Sequence, residues 1–366
     1  MPFGKPDLRL GLAVSAARVT TFGLRKSGRG GGTAAPGVVA DFIDPGVLRK
    51  VGQRLARGVI VVAGTNGKTT TSRMIADILE ADGARVVHNR SGSNLVRGVV
   101  AAFAKQTSTL GSPGGDVGVV EADEAAFPEI VERLQPRVIL LNNLFRDQLD
   151  RYGELEAIAT RWAGALSRLA PATTVVVNAD DPTLAEITRN ISGRRITFGL
   201  NDATNRLASL PHAADSAICR RCGADLQYQA LYSSHLGNWS CPRCSAERPP
   251  LDVVGSEISL DGVNALDLTI TRPDTGEDRV HVAVPGMYNA YNALAAAAAA
   301  LALDLPPLVT RQALGQFRSA FGRIERINLD GRSLTLALVK NPVGFNEVLR
   351  MLCGGGEGLA VPTMIV

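Results

Sequence analysis

The chain has 366 residues, 45% of them hydrophobic and 20% charged, and a formal net charge of +4. That length allows two or three domains, and that balance excludes a disordered chain. The mild, scattered positive charge argues against nucleic acid and suits an anionic substrate or work close to a membrane surface.

No apolar run reaches the roughly 18–20 residues that a membrane span requires. The first apolar stretch, 8–17, is short and is followed by Arg18 and Arg25, so it reads as an amphipathic N-terminal helix rather than a signal peptide. A glycine-rich segment around Gly28, Gly30, Gly31 and Gly32 completes residues 1–50. Next comes an apolar run at 58–62, then Gly64-Thr65-Asn66-Gly67-Lys68-Thr69-Thr70, then a helical pattern from 70 to about 81. Strand, glycine loop and helix in that order make a phosphate site. Glycines let backbone N–H groups close on phosphate oxygens, Lys68 supplies charge for the β- and γ-phosphates, and Thr69 offers a hydroxyl to Mg²⁺. The spacing departs from the common Gly-x-x-x-x-Gly-Lys-Ser/Thr, since position 62 is valine.

Strands are predicted at 59–63, 85–88, 117–121, 138–142, 174–178 and 195–198, with helices between them such as 154–169. This rhythm predicts an α/β fold, a mostly parallel sheet with helices on both faces. Ligands then bind at the carboxyl ends of strands, where Gly64–Thr69, Glu121 and Asn142 fall. Glu121 is the expected Mg²⁺ ligand there; the bland alternative for Glu121, Asp123 and Glu124 is an acidic helix start. In the polar segment 142–154, Asp147, Asp150 and Arg151 either contact metal or substrate or pair with one another.

Of five cysteines, four form Cys219-x2-Cys222 and Cys241-x2-Cys244, the pattern of a closed structural zinc site. His212 and His235 nearby read as surface residues, and Cys353 as a core or loop thiol. Arg220, Arg221, Arg243 and Arg248 are too few to make the ribbon a nucleic-acid reader. Residues 251–284 read as strands with turns at Asp261-Gly262 and Thr275-Gly276, followed by an alanine-rich helix over 289–303. Beyond about 310 a new piece begins, with strands at 324–330 and 333–339, a helix at 344–352 and a last strand at 359–366. The expected organisation is a central ATP-binding domain over 51–308, a zinc-ribbon insert at 205–249, and a C-terminal domain over 309–366 that, ending on a strand, looks incomplete.

Together these residues resemble the Mur ligase superfamily of ATP-dependent amide ligases. The match rests on Gly64–Thr70, on Asn178-Ala179-Asp180-Asp181, on Pro285-Gly286 with Asn289 and Asn292, and on Gly322-Arg323-Ile324-Glu325. The resemblance implies that Asn289 meets adenine, that Arg323 approaches the nucleotide phosphates, and that Lys68, Glu121 and Arg323 are catalytic. The implied nucleotide-binding set is Gly64, Thr65, Asn66, Gly67, Lys68, Thr69, Thr70, Asn289 and Arg323, with Thr69 and Glu121 on Mg²⁺. Two departures stand out. Gln148 occupies the place of a metal-binding histidine, and 162–169 holds no lysine for the usual carbamylated group, so a second Mg²⁺ site of that kind is not expected.

Within the superfamily, the ribbon, the segment 143–154 and Lys340-Asn341-Pro342-Val343-Gly344-Phe345-Asn346 are similar to the branch that works with a glutaminase partner. That branch amidates the D-Glu α-carboxylate of the lipid II stem peptide through an acyl phosphate, in the cytoplasm at the inner face of the membrane. The alternatives are an amino-acid-adding ligase of the folylpolyglutamate type and a nucleotide-binding scaffold without ligase activity.

Overall fold

A computed structural model describes residues 7–26, 34–89, 93–146, 154–210, 216–318, 324–329, 332–337, 339 and 341–353. Helices α1 (Leu8–Lys26), α2 (Ala35–Ile43) and α3 (Val47–Arg54) precede the first strand. Strands and helices then alternate: β1 (Val59–Ala63), α4 (Lys68–Ala81), β2 (Val86–His88), α5 (Val96–Lys105), β3 (Val117–Glu121), α6 (Phe127–Leu134), β4 (Val138–Leu141), α7 (Glu154–Leu166), β5 (Thr174–Asn178), α8 (Pro182–Ile187) and β6 (Arg195–Leu200). A hairpin, β7 (Gln227–Ser233) and β8 (Leu236–Ser240), lies between the two cysteine pairs. The chain continues through β9 (Val253–Asp261), β10 (Ala265–Arg272), β11 (Gly276–Val282), α9 (Met287–Ala302), α10 (Pro307–Gln316), β12 (Ile324–Leu329), β13 (Arg332–Ala337) and α11 (Pro342–Cys353).

The α/β architecture agrees with the sequence reading. Helix α4 opens at Lys68 rather than at Thr70, because Gly67 takes a left-handed φ of 81° and turns the loop straight into the helix. Helix α7 stops at Leu166, short of the predicted 169. The strand expected at 359–366 lies outside the described residues.

Nine strands form one sheet in the order β11-β10-β9-β6-β5-β4-β1-β3-β2. Strands β1 to β6 are parallel, β9 joins β6 in parallel, and β10 and β11 finish the edge as an antiparallel meander. The chain moves from β1 towards β3 and β2 on one side and then returns to β4 on the other. The crevice at the carboxyl end of β1 is therefore the switch point where such sheets take ligands.

Side-chain alternation divides β1 between two cores. Ile60 and Val62 join α4 and α9, whereas Val59, Val61 and Ala63 join the layer of α1 to α3 and α5 to α7. Every residue of α9 except Tyr288 is buried, and its alanines let it lie close against the sheet and α4. Helix α10 packs on α4 and β11.

Candidate nucleotide site and cysteine cluster

The phosphate loop leaves β1 beside the end of β3, with Val62 paired to Glu121 and Ala63 to Leu141 of β4. The polar stretch after β4 clamps it. Asn143 accepts the Asn66 N–H on Oδ1 at 2.8 Å and donates from Nδ2 to the Asn66 carbonyl at 3.1 Å. The Phe145 N–H reaches Thr65 Oγ1 at 3.0 Å, and the Thr65 N–H reaches the Asn143 carbonyl at 3.0 Å. The loop is thus pre-shaped, with its orientation cost met in folding. A side chain at Gly67 would overlap Asn292 Oδ1, so this position requires glycine for space as well as for φ.

Lys68 Nζ donates to the carbonyls of Gly64 at 2.5 Å and Thr65 at 3.1 Å, and pairs with Glu124 at 3.1 Å. The sequence reading favours Glu121 over Glu124, yet it is Glu124 that pairs with Lys68. The strand ends at Glu121, and α7 then dictates the path: Trp162 Nε1 donates to the Glu124 carbonyl at 2.9 Å, and Arg161 donates to the Ala125 carbonyl at 2.7 Å. Burial raises the pKa of Glu124 despite the nearby Lys68. Asp123 stays local, accepting the Ala125 N–H at 3.0 Å.

Glu121 is buried at the strand end. Asn89 holds its peptide on both sides, accepting its N–H at 2.8 Å and donating to its carbonyl at 2.9 Å. Nothing in the sequence reading singled out Asn89; its one signal is a polar residue directly after a strand. Thr69 and Thr70 lie half-buried in the first turn of α4. Arg323, Gln148, Asp147, Asp150 and Arg151 lie outside the described residues.

A directed hydrogen-bond chain crosses the site. Asn142 Nδ2 donates to Thr71 Oγ1 (3.0 Å), Thr71 to Asn292 Oδ1 (3.1 Å), Asn292 Nδ2 to Asn289 Oδ1 (2.9 Å), and Asn289 Nδ2 to the Pro285 carbonyl (2.6 Å). It ties β4, α4 and α9 into one unit. Asn142 Oδ1 is buried without a partner among the described residues, a cost that a bound ligand or water removes.

Across from the loop, Asn341 at the start of α11 exchanges amide hydrogen bonds with Asn66, at 3.1 and 3.4 Å. A cleft runs from Asn66 and Gly67 past Asn289 to Tyr288, Val343 and Glu347. It joins the phosphate loop to an apolar slot, the division of labour a nucleotide needs. Glu347 is buried there, and burial raises its pKa against the opposing pull of Arg350 and Ser233.

Asn178-Ala179-Asp180-Asp181 is a structural hub. Asn178 Nδ2 donates to the Asn142 carbonyl at 2.9 Å, and Trp239 Nε1 donates to the Ala179 carbonyl at 3.0 Å. Asp180, fully buried, accepts from Arg248 (2.8 Å), Tyr291 (2.7 Å) and the Leu200 N–H (2.9 Å). Asp181 caps α8 and accepts the Leu144 N–H at 2.8 Å. The ribbon is thereby fastened to the strand ends that shape the site.

His235 corrects an expectation. It is fully buried rather than on the surface, with Nε2 3.4 Å from Asp181 Oδ2 and its ring 4.9 Å from that of Phe145. Ser234, at φ 49°, turns the β7–β8 hairpin and drives the imidazole inward. His212 lies outside the described residues. The ribbon arginines are engaged internally: Arg220 with Glu156, Arg221 with Glu186, Arg243 with the Cys222 carbonyl and Arg248 with Asp180.

The sulfurs of Cys219, Cys222, Cys241 and Cys244 all lie within 4.8 Å of one another, two pairs at 3.5 Å. A tetrahedral zinc with Zn–S of about 2.3 Å has S···S edges of about 3.8 Å, so the donor set fits Zn²⁺. The two knuckles are matched. The Cys219 N–H bonds the Ala224 carbonyl and the Cys241 N–H bonds the Ala246 carbonyl, while Gly223 and Ser245 both take left-handed φ. Burial acts to raise the Cys241 thiol, but N–H groups of Cys244 and Arg243 directed at it outweigh this and hold it at about 6. No open ligand position remains, so the group the site suits is structural.

Comparison with known proteins decides the family. Residues 62–221 match the model of the Mur ligase middle domain. The subunit MurT of lipid II isoglutaminyl synthase (glutamine-hydrolyzing) from Streptococcus pneumoniae is 31% identical over 346 residues, covering 94% of this chain and 74% of that protein. The chain belongs to the MurT family of Mur ligases. As a member it is an ATP-dependent ligase. The MurT from Staphylococcus aureus strain N315 is 29% identical, over 93% of this chain and 74% of that protein. Among solved structures, a pseudomurein peptide ligase type C from Methanothermus fervidus superposes with a TM-score of 0.66 at 25% identity, over 81% of this chain. MurF from Acinetobacter baumannii, at 20% identity and a TM-score of 0.62 over 85% of this chain, shares the fold. The chain spans 57% and 58% of the lengths of those two solved chains. No helix among the described residues is long and apolar enough to cross a membrane.

Proposed function

We propose that this MurT-family chain activates the α-carboxylate of the D-glutamyl residue in the lipid II stem peptide and amidates it to D-isoglutamine. A carboxylate oxygen attacks the γ-phosphorus of ATP, the bond to the β-phosphate oxygen breaks, and ADP leaves. Ammonia then attacks the acyl phosphate, loses a proton and expels phosphate. At neutral pH almost all free ammonia is ammonium, so a glutaminase subunit of the GatD kind supplies it. The work takes place in the cytoplasm at the inner face of the membrane.

The observation that carries this reading is the closure of Asn341 on Asn66. It brings Asn341, within the segment that marks this branch in the sequence, directly onto the phosphate loop. The relatives named as isoglutaminyl synthase subunits support the same assignment.

In this reading Lys68 leaves its loop carbonyls for the β- and γ-phosphates, and Glu124 keeps it within reach. Gly64, Thr65, Asn66, Gly67 and Thr70 cradle the phosphates, Asn289 faces the adenine end of the cleft, and Arg323 adds charge to the transferring group. Thr69 and Glu121 hold Mg²⁺, which when bound neutralises charge developing on the phosphoryl oxygens. Cys219, Cys222, Cys241 and Cys244 hold zinc. The stretch 162–169 of this chain holds no lysine, and Trp162 at its start braces the Glu124 loop.

The test supplies purified protein with ATP, lipid II and ammonium salt, and follows conversion of carboxylate to carboxamide by mass spectrometry. Amidation, made glutamine-dependent by adding the glutaminase subunit, is expected. Turnover stimulated only by an amino acid would establish an amino-acid-adding ligase in its place. Nucleotide binding without turnover, even with the partner present, would leave only the scaffold.

A further inference from the structure

Helix α1 is held by one face and shows a second apolar face to solvent. Leu10, Ala13, Val14 and Ala17 are buried, whereas Leu8, Leu12, Val19 and Phe22 are exposed. At 3.6 residues per turn the exposed four fall within an arc of about 80°. The antiparallel α2, tied back by Arg9 Nε on the Ile43 carbonyl at 2.7 Å, adds Val38 and Phe42, the latter 86% exposed. More than half of the exposed large apolar side chains among the described residues lie on these two helices. Single exposed apolar residues need no explanation, but a continuous stripe does.

On α1 the charges beside the stripe are all basic, and the acids that adjoin it in sequence, Asp7 and Asp41, are paired with Lys50 and Arg133. Helix α1 contains no Asp or Glu. On the helical wheel Arg18 and Arg25 border the stripe on one side and Arg9 on the other, with Lys26 at its end. Beside Phe22, a depression between α1 and α5 is lined by Arg18, Arg25 and Lys105 and by no acid. Bases flanking an apolar stripe can keep their heads among anionic headgroups while their stems lie along the apolar layer.

We infer that the outer face of α1 and α2 docks on an anionic bilayer surface, with a lipid headgroup phosphate in the depression formed by Arg18, Arg25 and Lys105. The face would hold the protein at the surface that carries a lipid-linked substrate. This deepens the functional reading above, but its test needs no ligase turnover. A protein partner fits less well, because an all-basic border along the α1 part of the stripe matches a laterally uniform anionic surface.

The experiment is flotation of the full chain with vesicles of phosphatidylcholine, alone or mixed with phosphatidylglycerol. Binding to the mixed vesicles, weakened by salt, is expected, with little on phosphatidylcholine alone. The triple change Leu12→Ser, Phe22→Ser, Phe42→Ser should weaken binding by roughly tenfold or more. Arg25→Ser with Lys105→Ser should cost roughly fivefold per base at low salt. These positions are exposed, so unchanged zinc content and thermal midpoint show that the variants fold. Absence of binding to anionic vesicles, or binding that neither variant alters, overturns the proposal. So does a wild-type dimer in light scattering that the triple variant makes monomeric, or loss of the glutaminase subunit from the triple variant. Amidation of detergent-dispersed lipid II should be unaffected in both variants, which separates this failure from that of the ligase reading.

Discussion

Thr71 Oγ1 donates to Asn292 Oδ1 at 3.1 Å, joining the first turn of α4 to the second turn of α9 across 221 residues of sequence. The bond is buried and sits in the middle of the Asn142-to-Pro285 chain. Asn292→Leu would leave the Thr71 hydroxyl proton without its acceptor and Asn289 Oδ1 without its donor. Each unmet buried group costs about 1–3 kcal/mol. Urea unfolding should show a loss on that order, and ATP affinity measured by calorimetry should fall with it. Unchanged stability would show that the chain does not fasten the two helices.

Glu121 and Glu124 make distinguishable predictions. With Glu121 on Mg²⁺, Glu121→Gln should raise the Mg²⁺ needed for half-maximal ATP turnover by on the order of tenfold or more. Glu124→Gln breaks the ion pair to Lys68 and should act on ATP dependence instead, leaving the Mg²⁺ titration near that of the parent. Exchange of the two behaviours would make Glu124 the metal ligand. Lys68→Ala should abolish ATP turnover in either case.

The difference between these two glutamates shows what the sequence could and could not tell. Strands β1, β3, β4 and β5 were legible because both faces of the sheet are covered, so the middle of each is apolar on successive residues rather than on alternate ones. The position of Gly64–Thr69, Glu121 and Asn142 at the carboxyl ends of strands was legible from the order of strand and loop. Glu124 was not, since its position depends on an indole N–H from Trp162, on a helix that local alternation cannot see. His235 was misread for a similar reason. Within Ser233-Ser234-His235 it resembles an exposed turn, and only the approach of the hairpin to Asp181 buries it. The parallel pairing of β9 with β6 was equally hidden, because the whole ribbon intervenes in sequence.

The ribbon is expected to matter for the nucleotide site without touching nucleotide. A metal held by the four cysteines would fix the base of the β7–β8 hairpin, whose Trp239 and His235, with Arg248 beyond the second cysteine pair, meet Ala179, Asp181 and Asp180. Cys219→Ser, or prolonged chelation, should lower zinc from one per chain towards none and reduce the thermal midpoint. Arg248→Met should mimic part of that loss by leaving Asp180 buried without its cation, a change that costs about 3–5 kcal/mol. Full retention of zinc by Cys219→Ser in metal analysis would refute the four-cysteine assignment.

Glu347 predicts a pH dependence of definite sign. Its carboxyl sits in the cleft with a pKa raised above the ordinary 4.5 by burial, partly opposed by Arg350 and Ser233. In the window above 4.5 and below the raised value, the folded chain binds more protons than the unfolded one, so this group makes stability fall as pH rises. Above the raised value the full penalty of a buried charge is present; below 4.5 it is absent. Glu347→Gln keeps the shape and removes the titration. The variant should therefore be more stable than the parent at neutral pH, and the advantage should shrink as the pH is lowered towards 4.5. Paired denaturant titrations at neutral pH and near pH 4.5 provide the check. An advantage that stays constant across that range, or that grows on acidification, would mean that burial does not raise the Glu347 carboxyl in the folded protein.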